Sequence, residues 1–527
     1  MLETVTLHHI LLASAFVAVA FLIHEWYIEF DYKRTSKAKG CAPPPYFPSK
    51  FFGASRIWNF YQRFRVGELN EFCREQFDEF KVRTIRVQTL SRCLTATIDP
   101  ENVKAILATQ FKDFDLGRRY NQFQPMMGDG IFTLSGPGWQ HSRALLRPQF
   151  TTEEISRLHD IEVQCQVLID VIKEKSAGRY LKGQSGDGTF DLQELFFKLT
   201  LDTATEFLFG ESTECLSQGK RLSSARYKEA EKFAEQFNLG QTWLLRRAMA
   251  QGLYKLLTPS SYLRAAEVCQ KFVDYYVDQA LKNADTSDEK AEEQGGKRYY
   301  FLRELTKETR DPVLMRDQAI NILLAGRDTT AGLLSFTFAL MIRNKHVWHK
   351  LREAVLADFG TGTENITFHT LKRCEYLKWV MNEVLRLYPS VPVNFRTATR
   401  DTTLPRGGGP DESQPVYIKK GTDVFYATFC LHRDKGLWGE DAAEFRPERW
   451  ADSKAGSAWK YIPFNGGPRI CLGQQFALTE AGYVIVRLAQ SFKDVTSTPE
   501  QLREPIRQQS TLTSAVWNGV NVWFEPA

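Results

Sequence analysis

This 527-residue chain has little of what would place it in several common functional classes. Its nine cysteines, an odd number, are scattered from Cys41 to Cys471 with no C-x-x-C pair among them. That usage argues against a zinc ribbon or a dithiol motif and fits free thiols in a reducing compartment. His346 and His349 share a helix-like stretch, but no third ligand stands near them in sequence, so zinc is not read there. No G-x-G-x-x-G segment occurs, which argues against a bound nicotinamide or flavin dinucleotide. Gly407-Gly-Gly-Pro410 is glycine-rich but reads as lacking the strand, lysine and helix of a phosphate loop, and so as a turn. A strong charge imbalance is missing too: the net charge is only +5, with no Lys/Arg block interleaved with aromatics, so no nucleic-acid partner is expected. The run Ile10 to Ile23, apolar but for Ser14, has only 14 residues.

That run nevertheless sits inside a longer, mostly apolar stretch from Leu7 to Ile28. Built as a helix, such a stretch is about 33 Å long, enough to span a bilayer. Met1-Leu-Glu3 carries no basic residue, whereas Lys33, Arg34, Lys37 and Lys39 follow the run. This charge order opposes a cleaved signal peptide and leaves the rest of the chain on the cytosolic side. Residues 1–28 are therefore expected to form a transmembrane anchor, and 29–50 a basic, Pro-rich linker stiffened by Cys41-Ala-Pro-Pro-Pro45. Residues 51–527, in a chain 43% hydrophobic, are long enough for one large domain or two to three ordinary ones, and only their organisation decides.

Within that span Val82 to Val87 and Cys93 to Ile98 read as short strands. Leu192, Leu195, Phe196 and Leu199 fall on one helical face behind the cap Phe190-Asp191. The charged segment Lys282 to Arg298 reads as a solvated loop, and Thr511 to Phe524 as a hairpin around Asn518-Gly519. From Asp317 to Ile342 an apolar helical pattern is interrupted by Ala325-Gly326-Arg-Asp328-Thr329-Thr330. An acid and two hydroxyls are unusual in a buried helix. Gly326 weakens the helix by about 1 kcal/mol relative to alanine, and a threonine hydroxyl can bond the carbonyl one turn back and open a bend.

The most informative stretch is Phe464-Asn-Gly-Gly-Pro-Arg-Ile-Cys-Leu-Gly473, running into a helical pattern from Gln474 to Phe492. Gly466 and Gly467 permit a tight turn that Pro468 stiffens. Cys471 then stands at the mouth of a helix, where unpaired N–H groups favour a thiolate, the form that ligates soft metals. Gly473 leaves room for a flat macrocycle against the backbone, Phe464 could shield the sulfur, and Arg469 could meet a carboxylate. A lone cysteine is ordinarily a buried thiol, but five fixed residues in the pattern F-x-x-G-x-R-x-C-x-G arise by chance with a probability on the order of 10⁻⁴. The pattern points to haem ligated by cysteine.

This stretch resembles the cysteine loop of the cytochrome P-450 family, whose axial ligand to haem iron would be Cys471. Three further marks follow in family order. Ala325 to Thr330 resembles the oxygen-activating segment: Ala325 and Gly326 would form the dioxygen groove, Thr329 would hold dioxygen and its protons, and Asp328 would gate proton entry. Glu383-Val-Leu-Arg386 with Phe445-Arg-Pro447-Glu-Arg449 resembles the buried network of Glu383, Arg386 and Arg449 that stabilises the fold behind the loop. Trp139-Gln-His-Ser-Arg143 resembles the W-x-x-x-R segment that meets a haem propionate, with Arg396 and Arg469 completing the charge pairing. Taken alone, E-x-x-R is a routine helix-surface pair.

The resemblance implies a mainly α fold with small β-sheets, the cytochrome P-450 fold, carried as a single domain behind the N-terminal anchor. It implies haem b as cofactor and insertion of one oxygen atom into an unactivated C–H bond. Electrons would come from a separate NADPH-cytochrome P-450 reductase, with cytochrome b5 as a second donor, at the cytosolic face of the endoplasmic reticulum. Gly-Asp129-Gly-Ile-Phe132-Thr and the insertion Leu404 to Pro410 look closest to fungal n-alkane- and fatty-acid-hydroxylating members. Phe132, Val391, Val393 and Leu512 occupy places resembling substrate-contacting positions, and all are apolar. Arg92 or Arg118 could meet a substrate carboxylate. A secondary metabolite or xenobiotic is the alternative substrate, and a haem-thiolate isomerase or binding protein without oxygen activation is the alternative class.

Overall fold

The computed structural model describes residues 2–47, 54–89, 92–181, 189–219, 224–285, 300–452, 454–456 and 459–527. Its organising element is the helix Pro312–Met341, called the central helix below. Pro312 at the first helical position and Asp311, whose carboxylate accepts the N–H groups of Val313 and Leu314, give it a firm start. From Asp317 onward nearly every residue is buried, so this helix is enclosed on all sides. Helices Leu192–Phe209, Ser260–Asp285, Glu375–Leu387 and Gln474–Ser491 pack against it.

Strands gather to one side. A six-stranded sheet has the order β1 (Tyr46–Phe47), β2 (Thr84–Thr89), β3 (Arg92–Thr97), β9 (Asp423–Tyr426), β6 (Asn394–Ala398), β4 (Phe114–Asp115). In it β1 with β2 and β3 with β9 are parallel, and the remaining pairs antiparallel. Strands β7 (Thr402–Gly408) and β8 (Gln414–Ile418) form a separate ribbon. A three-stranded sheet joins β10 (Phe492–Thr496), β13 (Asn521–Pro526) and β5 (Phe190–Asp191), and β11 (Gln508–Ser510) pairs with β12 (Ser514–Val516). The chain is thus mainly helical with small sheets.

Several local readings change. The segment around Asn518-Gly519 is a turn, but not of a hairpin: β12 pairs with β11 and β13 with β10 and β5. Gly519 has φ +71° and lies so close to Asp191 that a Cβ would come within 2.3 Å of its carboxylate, while Asp191 accepts the Val520 N–H at 2.8 Å. The same Asp191 caps helix Leu192–Phe209 through the Gln193 N–H, so this turn is built by a distant cap and not by its own strands. The central helix begins at Pro312 and runs through Ala325 to Thr330 without interruption. Gly407 and Gly408 close strand β7 ahead of the turn. Of the charged segment Lys282 to Arg298, the first residues end helix Ser260–Asp285 and the rest lies outside the described residues.

At the N-terminus a single helix, Leu2–Ala38, continues well past Ile28. Its later part is held by the sheet: Glu29 pairs with Arg86 of β2 at 2.5 Å, and the Tyr32 hydroxyl donates to the Tyr417 carbonyl at 3.1 Å. Among the described residues no helix is long and apolar enough to cross a membrane.

Candidate active site

The loop Phe464 to Gly473 is held by its own backbone. Asn465 and Gly467 both adopt positive φ (65° and 66°), the Cys471 N–H donates to the Phe464 carbonyl at 3.0 Å, and a short 3-10 turn spans Gly467–Arg469. Gly467 admits no other residue, because a Cβ would lie 1.9 Å from the Leu107 carbonyl oxygen. Phe464 packs its ring on the large apolar cluster around the central helix. Gly473 precedes helix Gln474–Ser491, and its N–H is directed at the Cys471 sulfur. Burial pushes the Cys471 thiol up, while that N–H and the Arg143 guanidinium pull it down. Cys471 is accessible and yet enclosed by protein, so its sulfur faces an interior hollow.

The central helix presents a second inward surface. Between Asp317 and Met341 only Ala325, Gly326 and Thr329 are not fully buried, and their spacing puts all three on one face. A Cβ built on Gly326 meets no atom within 4 Å. The Thr329 hydroxyl donates to the Ala325 carbonyl at 2.6 Å, the back-bond to the preceding turn anticipated from sequence. Asp328, next in the chain, points elsewhere. It is buried, ion-paired with Arg327 at 3.2 Å and hydrogen-bonded to Gln241 of helix Ser224–Met249, and burial raises its pKa.

Four arginines converge beyond the loop. Arg469 donates to the carbonyls of Leu134 (2.9 Å) and Ile131 (3.4 Å) and lies 4.3 Å over the Trp139 ring. Arg143 donates to the Ile470 carbonyl at 3.0 Å. Burial and the charges of Arg396 and Arg119 lower Arg469 to about 9, and burial with Arg396 lowers Arg119 to about 10. Such mutual repulsion calls for an anion. Trp139 Nε1, Arg396 Nε and Arg118 Nη1 are among the buried donors that have no partner among the described residues. Orphaned donors beside unneutralised guanidinium groups, an enclosed thiol and a helix face without side-chain bulk together fit a flat macrocycle bearing carboxylates. Arg119 was not legible as a member of this group. Its signal was only the Arg118-Arg119 pair after Leu116-Gly117, and its approach to β6 through Asn394 Oδ1 (2.8 Å) is a long-range contact.

Glu383, Arg386 and Arg449 also meet. Arg386 forms a fork on Glu383 at 2.9 and 2.8 Å, Arg449 Nε reaches the same carboxylate at 2.8 Å, and the Trp450 indole adds a fourth bond at 2.9 Å. The remaining Arg386 donors go to the carbonyls of His432, Ala442 and Glu444. Every charge here is buried and compensated, the condition under which an enclosed ion network is tolerated. Phe132 and Leu512 border one apolar cluster, which includes Ile322 and Leu323 of the central helix. Val393 borders the sheet-side cluster instead, and Val391 is half-buried. The structure therefore does not gather the four pocket positions around one cluster. Arg118 lies with Arg119 near Asp423 of β9, and Arg92 begins β3.

Comparison with known proteins accounts for this arrangement. The family model described as Cytochrome P450 matches residues 48–517. The chain is 47% identical over 524 residues to Cytochrome P450 52A12 of Debaryomyces hansenii, covering 97% of this chain and 98% of that protein. It is 50% identical over 450 residues to Cytochrome P450 52A1 of Candida tropicalis, covering 84% and 80%. To Cytochrome P450 52-E3 of Starmerella bombicola it is 45% identical over 520 residues, covering 96% and 97%. A loop that holds one enclosed thiol, a polar cradle for carboxylates and a match along nearly the whole length lead to one conclusion: the chain belongs to the cytochrome P450 family and is a haem-binding monooxygenase.

Proposed function

We propose that this protein hydroxylates long-chain fatty acids or n-alkanes at or near the chain end. The observation that carries the reading is the central helix face, where Ala325, Gly326 and Thr329 alone are open between Asp317 and Met341, on a helix whose Ile322 belongs to the apolar cluster that Phe132 and Leu512 border. An unsubstituted hydrocarbon chain offers nothing for polar groups to grip, so an apolar, narrow approach suits it. Bound haem supplies the oxidation itself: dioxygen, electrons and protons convert a C–H bond to C–OH and release the second oxygen atom as water.

In this reading the residues divide the work. Cys471 would hold the haem iron through its thiolate, and the Gly473 N–H would tune the charge on that sulfur. Arg143, Arg396, Arg469 and the Trp139 indole would hold the haem carboxylates, with Gly467 keeping the loop in place. Thr329 keeps a proton on its hydroxyl by bonding the Ala325 carbonyl. Asp328, buried and paired with Arg327, would gate proton entry. Glu383, Arg386 and Arg449 form the rigid support. With no dinucleotide turn of its own, the chain takes electrons from an NADPH-cytochrome P-450 reductase at the cysteine-side face, with cytochrome b5 as a second donor. The outward apolar side chains Leu12, Phe16, Val19, Leu22 and Ile23 support a membrane anchor in the endoplasmic reticulum with the catalytic domain in the cytosol.

The test is reconstitution with a eukaryotic NADPH reductase, followed by mass spectrometry of products from an alkane and a fatty acid of equal length. Terminal alcohols or diacids are expected. Absence of product from both substrates, with the thiolate-ligated haem spectrum intact, would sink the hydrocarbon reading in favour of another small molecule.

A further inference from the structure

A buried side chain joins the Glu383 network to the segment that leads into the cysteine loop. His432 is fully buried. Its ring Nδ1 lies 3.2 Å from the Arg386 carbonyl oxygen, and its Nε2 lies 2.9 Å from the Ile462 backbone nitrogen. Because a carbonyl only accepts and an N–H only donates, the ring must be neutral with its proton on Nδ1. Both ring nitrogens are therefore committed. Arg386 returns the contact, since its Nη1 donates to the His432 carbonyl at 2.8 Å. The two residues form a reciprocal clasp, with each side chain on the other's backbone.

From His432 the bonds run forward to the loop. Ile462, fixed by Nε2, accepts the Asn465 N–H on its carbonyl at 3.1 Å, and Phe464 accepts the Cys471 N–H at 3.0 Å. Asn465 carries the positive φ that opens the turn. We propose that His432 is a positioning residue for the haem ligand, transmitting the rigidity of the Glu383–Arg386 pair through Ile462 to the loop that presents Cys471. The inference rests on Cys471 being that ligand. Tyr461, whose hydroxyl donates to the Asn382 carbonyl at 3.1 Å, gives the same segment a second hold. Loss of the imidazole bond therefore shifts the loop without unfolding the segment.

The two ring bonds can be separated. His432→Gln keeps an acceptor near the place of Nε2 and gives up the Nδ1 donor, whereas His432→Asn keeps a donor near Nδ1 and gives up the acceptor for Ile462. Holoenzyme variants are compared by the thiolate-ligated spectrum of the reduced carbonyl complex and by backbone amide exchange. For His432→Asn the Ile462 amide is expected to exchange roughly tenfold faster, the consequence of one lost buried hydrogen bond. The thiolate-ligated fraction falls with it, while amides of helix Glu375–Leu387 stay protected. His432→Gln keeps both signals near those of the parent. If the two variants behave alike, both intact or both lost, the proposal is wrong. Cys471→Ala is the control for the underlying reading: it loses the thiolate spectrum but keeps Ile462 protected, and a persistent thiolate spectrum there would overturn the ligand assignment alone.

Discussion

Glu480 is a carboxylic acid with almost no water around it, 1% exposed in helix Gln474–Ser491 and bonded by the Thr203 hydroxyl. Burial pushes it up to about 7 from an ordinary value of 4.5. A carboxyl raised in the folded state contributes stability that is fully present below the unfolded value and is lost as pH rises through the folded one. The loss should accumulate between pH 4.5 and about 7 and reach on the order of 3 kcal/mol. His432 runs the other way: burial and the Arg386 charge lower it from 6.5 to about 3, so it withdraws stability as pH falls below 6.5. Replacing Glu480 by Gln separates the two. The variant should melt near the parent at pH 4, where both side chains are neutral, and several degrees above it at pH 8. Equal melting temperatures at both pH values would show that Glu480 is not held protonated by its surroundings.

At the scale of the element, the cysteine loop contains glycines with different reasons to be there. Gly467 is demanded by the protein itself: φ is +66° and the Leu107 carbonyl occupies the place of a Cβ. Gly473 has an ordinary φ of −86°, and a Cβ there would only touch the Phe150 ring at 3.6 Å. Gly467→Ala should therefore destabilise the folded chain by roughly 3 kcal/mol or more, combining left-handed strain with a backbone collision. Gly473→Ala should leave the fold intact and lower haem content instead. Melting temperature and haem-to-protein ratio, measured together, check both; equal damage to melting in the two variants would contradict the distinction. The same contrast explains what was legible beforehand. The cysteine loop, the Ala325 to Thr330 face and the Glu383–Arg386 pair are local patterns, in which spacing and residue type carry the chemistry. Helix Leu192–Phe209 with its Asp191 cap was legible for the same reason. The Asn518-Gly519 hairpin was misread because pairing is decided by which strands are available in space: β12 pairs back with the neighbouring β11, which leaves β13 to pair with β10 and, far away in sequence, with β5. Arg119 and His432 escaped notice because their roles arise only where β6 and Ile462 are brought to them.

At the scale of the whole molecule, the question is how the catalytic body is joined to its N-terminal helix. Had residues 29–50 been a free linker, the body would hang at any angle. Instead the helix persists to Ala38, and its last turns are seated on the sheet. Arg86, 5% exposed, stacks its guanidinium 3.6 Å over the Tyr32 ring while binding Glu29. Lys39 reaches Asp401 at 3.5 Å, Lys419 reaches Asp31 at 3.7 Å, and Ala42 donates to the Pro415 carbonyl at 3.0 Å. The exposed pairs contribute little, but the enclosed Arg86 contact combines charge, stacking and a hydrogen bond. Removing the arginine leaves the Glu29 carboxylate without this partner and should weaken docking by on the order of 2 kcal/mol, discounted because water still reaches Glu29. Arg86→Ala should expose Lys33, Arg34, Lys37 and Lys39 to trypsin many times faster than in the parent, while the melting temperature of the haem domain changes little. Cleavage at an unchanged rate would mean that the helix is held by something other than this contact. A fast cut with a normal haem spectrum would establish a rigid joint, one that fixes the tilt of the catalytic body relative to the helix bearing Leu12, Phe16 and Val19.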